Sequence, residues 1–191
     1  MKCSIRLNAV IGLGLATTFL SACGGSSDSS NPPELRTTSY GAVRGNDETS
    51  TSGTYSWKGI PFAKAPVGAL RWKAPVEPDV WTGTLVTQTF GNACMQIGRI
   101  YGPGANNTYD STIGTTLNTP VGSEDCLTLN IWRPATGDDK LPVLFFIYGG
   151  SNISGYTADP VYNGAKLAKT ANAIVVTANY RVGVLGFLNL P

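Results

Sequence analysis

Three kinds of residue in this 191-residue chain have the chemistry for a functional site: a Tyr148-Gly149-Gly150 turn, the hydroxyl of Ser151 beside it, and the cysteines Cys3, Cys23, Cys94 and Cys126. Without Cβ atoms, Gly149 and Gly150 let backbone N–H groups come close to a ligand. Ser151 is a nucleophile by type only. A catalytic serine needs a base in hydrogen-bond reach, and the sequence contains no histidine. Nor does it contain a G-x-S-x-G nucleophile elbow. Ser151 is therefore not read as a nucleophile. Few cysteines and no histidine make a poor zinc set, so no metal is expected.

The elements that must hold these residues follow from periodicity. In Gly122–Pro134, GSEDCLTLNIWRP, the residues Leu127, Leu129 and Ile131 alternate with Thr128, Asn130 and Trp132. That is the period of a strand with two unlike faces. A polar turn over Thr136–Lys140 leads to Val143–Ile147, apolar without alternation, which predicts a strand buried on both faces. Leu127–Ile147 thus reads as a hairpin. Tyr162–Ala171 reads as a short helix with Ala165, Leu167 and Ala168 toward the sheet, and the β-branched Ala173–Thr177 as another strand. Strand, helix, strand implies a parallel crossover. Upstream, Tyr40–Gly45 and Thr54–Trp57 read as short strands and Gly59–Pro75 as a proline-bound surface segment. Gly98–Gly122 is a polar loop, longer than most connections, that suits either a cleft rim or a mobile insertion.

Five stretches together carry a family resemblance: YGAVRG at Tyr40–Gly45, WKGIPFAKAPVGALR at Trp57–Arg71, FGNACMQ at Phe90–Gln96, the EDCL-x-LN-I run with its downstream Gly-Gly turn, and NYRVGVLGF at Asn179–Phe187. In this order they resemble the landmarks of type-B carboxylesterases, the cholinesterase-like branch of the α/β-hydrolases. The resemblance implies an α/β fold with a mixed, mostly parallel central sheet and short antiparallel strands at its N-terminal side. It also implies hydrolysis of carboxylic esters without a cofactor. In that family the nucleophile elbow, the triad acid and the histidine follow the NYR-x-G-x-LGF segment, and this chain stops at Pro191. It is expected to be the N-terminal portion of a longer enzyme, inert by itself.

The same resemblance assigns roles by position. Gly149, Gly150 and Ser151 occupy the family's glycine triplet, with the N–H groups of Gly150 and Ser151 as oxyanion-hole donors. Here the third glycine is a serine, and Asn152 stands where an aromatic is common, which points to a narrower acyl pocket. Cys94 and Cys126 match a family disulfide; from the residues alone, two free buried thiols remain an alternative. Arg71 and Glu124 match a structural ion pair. Asp125, Arg181, Trp57 and Trp72 read as structural or rim residues.

The N-terminus is read as a targeting segment. Lys2 and Arg6 precede the apolar Ala9–Leu20, too short for a comfortable membrane span. Leu20-Ser21-Ala22-Cys23 resembles a bacterial lipobox, and Gly24–Pro33 is a solvated tether. The expected organisation is a lipoprotein signal over 1–22, a tether over 23–36 and the hydrolase portion over 37–191. Cys23 would carry lipid and hold the protein at a membrane of the cell envelope. A net charge of +2 without a basic cluster gives nucleic-acid binding no electrostatic support. Two further readings stay open: a non-catalytic, cholinesterase-like binding module, and an envelope lipoprotein whose short chain is itself the functional unit.

Overall fold

The computed structural model describes residues 31–188. The signal segment and Cys23 lie outside the described residues. The chain opens with β1 (Leu35–Thr38), β2 (Gly41–Arg44), β3 (Asn46–Glu48) and β4 (Thr54–Pro61), followed by β5 (Thr84–Val86). Next come β6 (Gln96–Ile97), β7 (Pro120–Val121), β8 (Thr128–Pro134) and β9 (Val143–Phe146). Helix α1 (Ala165–Ala171), β10 (Ile174–Ala178) and the short α2 (Gly183–Phe187) complete it. Strand β1 begins two residues inside the segment read as tether.

Five strands form the main sheet in the order β3-β4-β8-β10-β9. Its β3–β4, β4–β8 and β8–β10 pairs are antiparallel, and only β9–β10 is parallel. In this portion the sheet is therefore mixed and chiefly antiparallel. A smaller sheet, β1-β2-β5, begins with a tight hairpin through Ser39 and Tyr40.

Both faces of the main sheet are covered over β4, β8 and β10. On one face, Trp132 and Val175 pack against Ala165 and Ala168 of α1, with Phe90 alongside. On the other, Trp57, Ile60, Leu129 and Ile131 meet Val43, Leu85 and Trp81. Asn130 shares the more deeply buried face of β8 with Trp132 and Pro134, so its amide needs internal partners. Asn130, fully buried, accepts a hydrogen bond from the Gly59 N–H (2.9 Å) and donates to Thr177 Oγ1 (3.0 Å). Gly59, at φ +72°, sits in the bulge that shifts the β4–β8 register, so the Asn130 amide supplies the partner the ladder omits.

Three expectations are corrected. Leu127–Ile147 is not a hairpin, because β10 inserts between β8 and β9 and pairs with both. Val143–Ile147 is not buried on both faces: every residue from Val143 to Ile147 is exposed, because β9 lies at the sheet's edge, with β10 as its one neighbour among the described residues, and α1 packs over Trp132 of β8 and Val175 of β10 instead. Leu167 is 50% exposed, whereas Ala165 and Ala168 are buried. Three residues apart, the two alanines share a helix face, and Leu167 falls outside it. The β9–α1–β10 connection is parallel, as the strand–helix–strand pattern requires.

Candidate active site

The glycine turn leaves the C-terminal end of β9, and the tyrosine before it sets its direction. Tyr148 is buried and stacks on Tyr180, with ring centroids 4.5 Å apart. The two residues brace each other through hydrogen bonds. The Tyr148 hydroxyl accepts from the Tyr180 N–H and donates to the Tyr180 carbonyl, both at 3.2 Å, and the Tyr180 hydroxyl donates to the Tyr148 carbonyl at 2.8 Å. Burial pushes the Tyr148 phenol well above its ordinary pKa, so it stays protonated and able to donate. The peptide that enters Gly149 is thereby fixed from both sides.

Beyond it the backbone turns sharply. The Gly150 carbonyl accepts from the N–H groups of Ile153 (3.1 Å) and Ser154 (3.2 Å). Gly150 has φ +135°, and a Cβ built there would lie 2.0 Å from the Ser154 carbonyl oxygen. Only glycine fits. At Gly149 a Cβ would meet nothing within 4 Å. Ser151 and Asn152 follow at φ +55° and +61°, in the left-handed region. Asparagine tolerates that region; for serine it costs about 1–2 kcal/mol. Ser151 thus adopts a conformation that suits glycine better than serine. Among the described residues, the N–H groups of Gly149, Gly150 and Ser151 have no acceptor, and all three residues are exposed. The Ser151 hydroxyl has no partner among them either.

Two further contacts hold the turn. The Gly183 N–H at the start of α2 donates to the Asn152 carbonyl (2.7 Å). At the exit, the side-chain amide of Gln96 pairs with both backbone groups of Gly155. It accepts from the Gly155 N–H and donates to the Gly155 carbonyl, each at 2.9 Å. A cleft of about 410 Å³ opens beside the turn, lined by Gly149, Ser154 and Gly155 on one side and by Arg99, Ile100 and Tyr101 on the other. The long polar segment starting at Gly98 therefore forms one wall of this cleft. It is ordered by its own turns, with Asn107 at its base accepting from the Gly122 N–H through Oδ1 (2.9 Å) and from the Ala93 N–H through its carbonyl (2.6 Å).

The remaining sequence-predicted residues form the support. Cys94 and Cys126 are joined in a disulfide, buried against Ala63 and Leu127. Arg71 and Glu124 form a two-pronged pair, Nε to Oε2 at 2.8 Å and Nη2 to Oε1 at 2.7 Å, half-exposed on the arginine side. The arginine's hydrogen bonds hold the Glu124 carboxyl below its usual pKa range. Arg181 donates to the Lys73 carbonyl (2.9 Å), a structural contact. Trp57 is core, and Trp72 is half-exposed with its indole N–H on the Val184 carbonyl (3.0 Å). Gln96 and Tyr180 lie inside stretches that carried the resemblance, yet no residue pattern marked them as braces of the turn.

A mixed sheet with a helical crossover, and a glycine turn at the end of its edge strand β9, define an α/β-hydrolase portion with exposed backbone donors. The chain belongs to the carboxylesterase family, whose model matches residues 32–190. It is 42% identical over 157 residues to the para-nitrobenzyl esterase of Bacillus subtilis, covering 82% of this chain and 29% of that protein. With the fumonisin B1 esterase of Sphingopyxis macrogoltabida it shares 40% over 162 residues, covering 84% and 27%. Among solved structures, a thermophilic para-nitrobenzyl esterase superposes with a TM-score of 0.70 at 40% identity, covering 82% of this chain and 30% of the other. The chain thus spans under a third of the length of these relatives.

Proposed function

We propose that this chain is the N-terminal portion of a serine carboxylesterase and that it supplies the oxyanion hole for hydrolysis of small carboxylic esters. The observation that supports this reading is the trio of exposed N–H groups at Gly149, Gly150 and Ser151, without acceptors among the described residues, in a turn braced at entry, tip and exit. Attack on an ester carbonyl puts negative charge on its oxygen, and donors already in place stabilise that charge without reorganising. In this reading the N–H groups of Gly150 and Ser151 are the donors. The serine nucleophile, its histidine and its acid belong to sequence beyond these residues, and residues 23–191 alone do not turn over ester.

The test compares the complete polypeptide encoded by the gene with residues 23–191, using para-nitrophenyl esters and a fluorophosphonate serine probe. The complete protein is expected to hydrolyse ester and take the label, and the shorter chain to do neither. Labelling and turnover by residues 23–191 would refute the division of labour. A complete protein that binds ester without hydrolysing it would favour the binding-module reading.

Cys23 is proposed to carry a lipid anchor, on the strength of Leu20–Cys23 and the polar Gly24–Pro33 that follows. Cys23→Ser is expected to release the protein from the membrane fraction or leave an uncleaved precursor. A soluble mature wild-type protein beginning elsewhere would overturn the assignment.

A further inference from the structure

We infer that Gln96 is a positioning residue for the glycine turn: its side-chain amide clips the backbone of Gly155 and so sets where the Gly150 and Ser151 N–H groups stand. The inference rests on the esterase reading for its catalytic consequence and on geometry for the rest.

Gln96 is buried, and its amide is nearly saturated. Oε1 accepts from the Gly155 N–H (2.9 Å), while Nε2 donates to the carbonyls of Gly155 (2.9 Å) and Cys94 (3.0 Å). A primary amide facing a backbone N–H and C=O in this way copies one rung of a β-ladder. It gives Gly155 the pairing that no strand provides. Only glycine fits at 155, and glycine by itself is conformationally free, so the clip is what restricts it. Gly155 sits at φ +126°, and a Cβ there would lie 2.4 Å from the Tyr148 ring and 2.8 Å from the Gly149 carbonyl. The segment from Tyr148 to Gly155 is therefore a closed loop whose two ends touch.

Tyr180 secures the first end and Gln96 the second. Between them, Ser151 and Asn152 hold left-handed conformations, one of them unfavourable for its residue type. Such a backbone persists only when its surroundings over-determine it. Gln96 is also anchored itself, through the Cys94 carbonyl next to the disulfide, so the clip transmits rigidity from the Cys94–Cys126 crosslink to the turn. Hydrogen-bond donors for an oxyanion work only within a narrow range of position, and a displacement of about 1 Å can cost a hundredfold in rate.

The experiment uses the complete polypeptide with Gln96→Leu and Gln96→Glu. Leucine keeps the bulk and removes both hydrogen-bonding functions. A glutamate side chain keeps the length; ionised, it cannot donate, but protonated it offers an O–H donor and a C=O acceptor, as the amide does. Gln96→Leu is expected to lower kcat by about ten- to a hundredfold with KM changed less than threefold, and to speed amide exchange across 149–155. Gln96→Glu is expected to be impaired at neutral pH and to recover relative to wild type as the pH falls and the introduced carboxyl takes its proton. A merely structural role would lower the folded fraction of both variants while the molecules that do fold kept wild-type kcat and wild-type exchange at 149–155. Unchanged kcat and unchanged exchange at 149–155 in Gln96→Leu would overturn the inference. If the wild-type protein hydrolyses no ester, the esterase reading fails, and the exchange of residues 149–155 alone decides whether Gln96 orders the turn.

Discussion

Removing the Cys94–Cys126 crosslink should be the most costly conservative change in this portion of the protein. The bridge spans 32 positions and both cysteines are essentially inaccessible, at 1% and 0% exposure. In the chain-entropy description a closed loop of that length takes about 12 cal/mol/K from the unfolded chain, or about 3.7 kcal/mol at 25 °C. With a urea dependence of about 1–3 kcal/mol per molar, the midpoint should fall by roughly 1–4 M. Two perturbations separate the crosslink from the packing. Reducing the wild-type bridge leaves the sulfurs in place and removes only the constraint. The double substitution Cys94→Ala with Cys126→Ala also empties volume beside Ala63 and Leu127, so it should cost more than reduction does. Urea unfolding of the complete polypeptide, followed by tryptophan fluorescence, reads both, since Trp57 and Trp132 are buried in this portion. Oxidised and reduced wild type with the same midpoint would refute the reasoning. It would mean that the intervening segment is already restricted in the unfolded chain.

Other substitutions test the turn and its frame. Gly150→Ala places a methyl 2.0 Å from the Ser154 carbonyl oxygen and should lower kcat/KM of the complete protein at least tenfold, whereas Gly149→Ala, which meets nothing within 4 Å, should leave folding unchanged by differential scanning calorimetry. Equal effects on folding from the two alanines would contradict the loop geometry. Because Arg71 holds the Glu124 carboxyl below its usual range, the pair contributes stability above the ordinary carboxylate range and loses it as pH falls through that range toward the lower folded value. Glu124→Gln should therefore flatten the acid limb of a stability–pH profile, with mutant and wild type converging at low pH. Gly164→Ala sets a Cβ 2.7 Å from both the Trp132 ring and a Val175 methyl; it should cost about 1–3 kcal/mol in a urea titration, the range for overpacking a core.

Much of the frame was legible in the residues. Strands β8 and β10 fall where alternation and β-branching place them; β4 runs on to Pro61, into the stretch read as a surface segment, and α1 begins at Ala165, three residues later than expected. The exposure of Val143–Ile147 was not legible, because an apolar run records what a strand can bury and not which neighbours cover it. Nor could local pattern show that β10, later in sequence, separates β8 from β9. The turn itself was visible through its glycines, and the resemblance supplied the roles of Gly149, Gly150 and Ser151. Its braces were not visible. The Gln96 amide pairs with a backbone 59 positions away, and the Tyr180 hydroxyl with one 32 positions away, contacts that leave no periodic trace.

The strand order has a consequence for how the chain comes to be folded. Among the described residues β9 pairs only with β10, so it has no ladder until Ile174 meets Val143, 174 − 143 = 31 positions later. At a synthesis rate of about 5–20 residues per second, that leaves Val143–Ile147 unpaired for about 2–6 s on each nascent chain. The segment is Val-Leu-Phe-Phe-Ile, without charge or proline, the type of sequence that joins other strands when left open. Lys140 and Pro142 before it and Gly149-Gly150 after it act as gatekeepers at its two ends. Substitutions in β10 that slow its docking should accordingly lower the yield of folded protein while the molecules that do fold keep nearly their full stability.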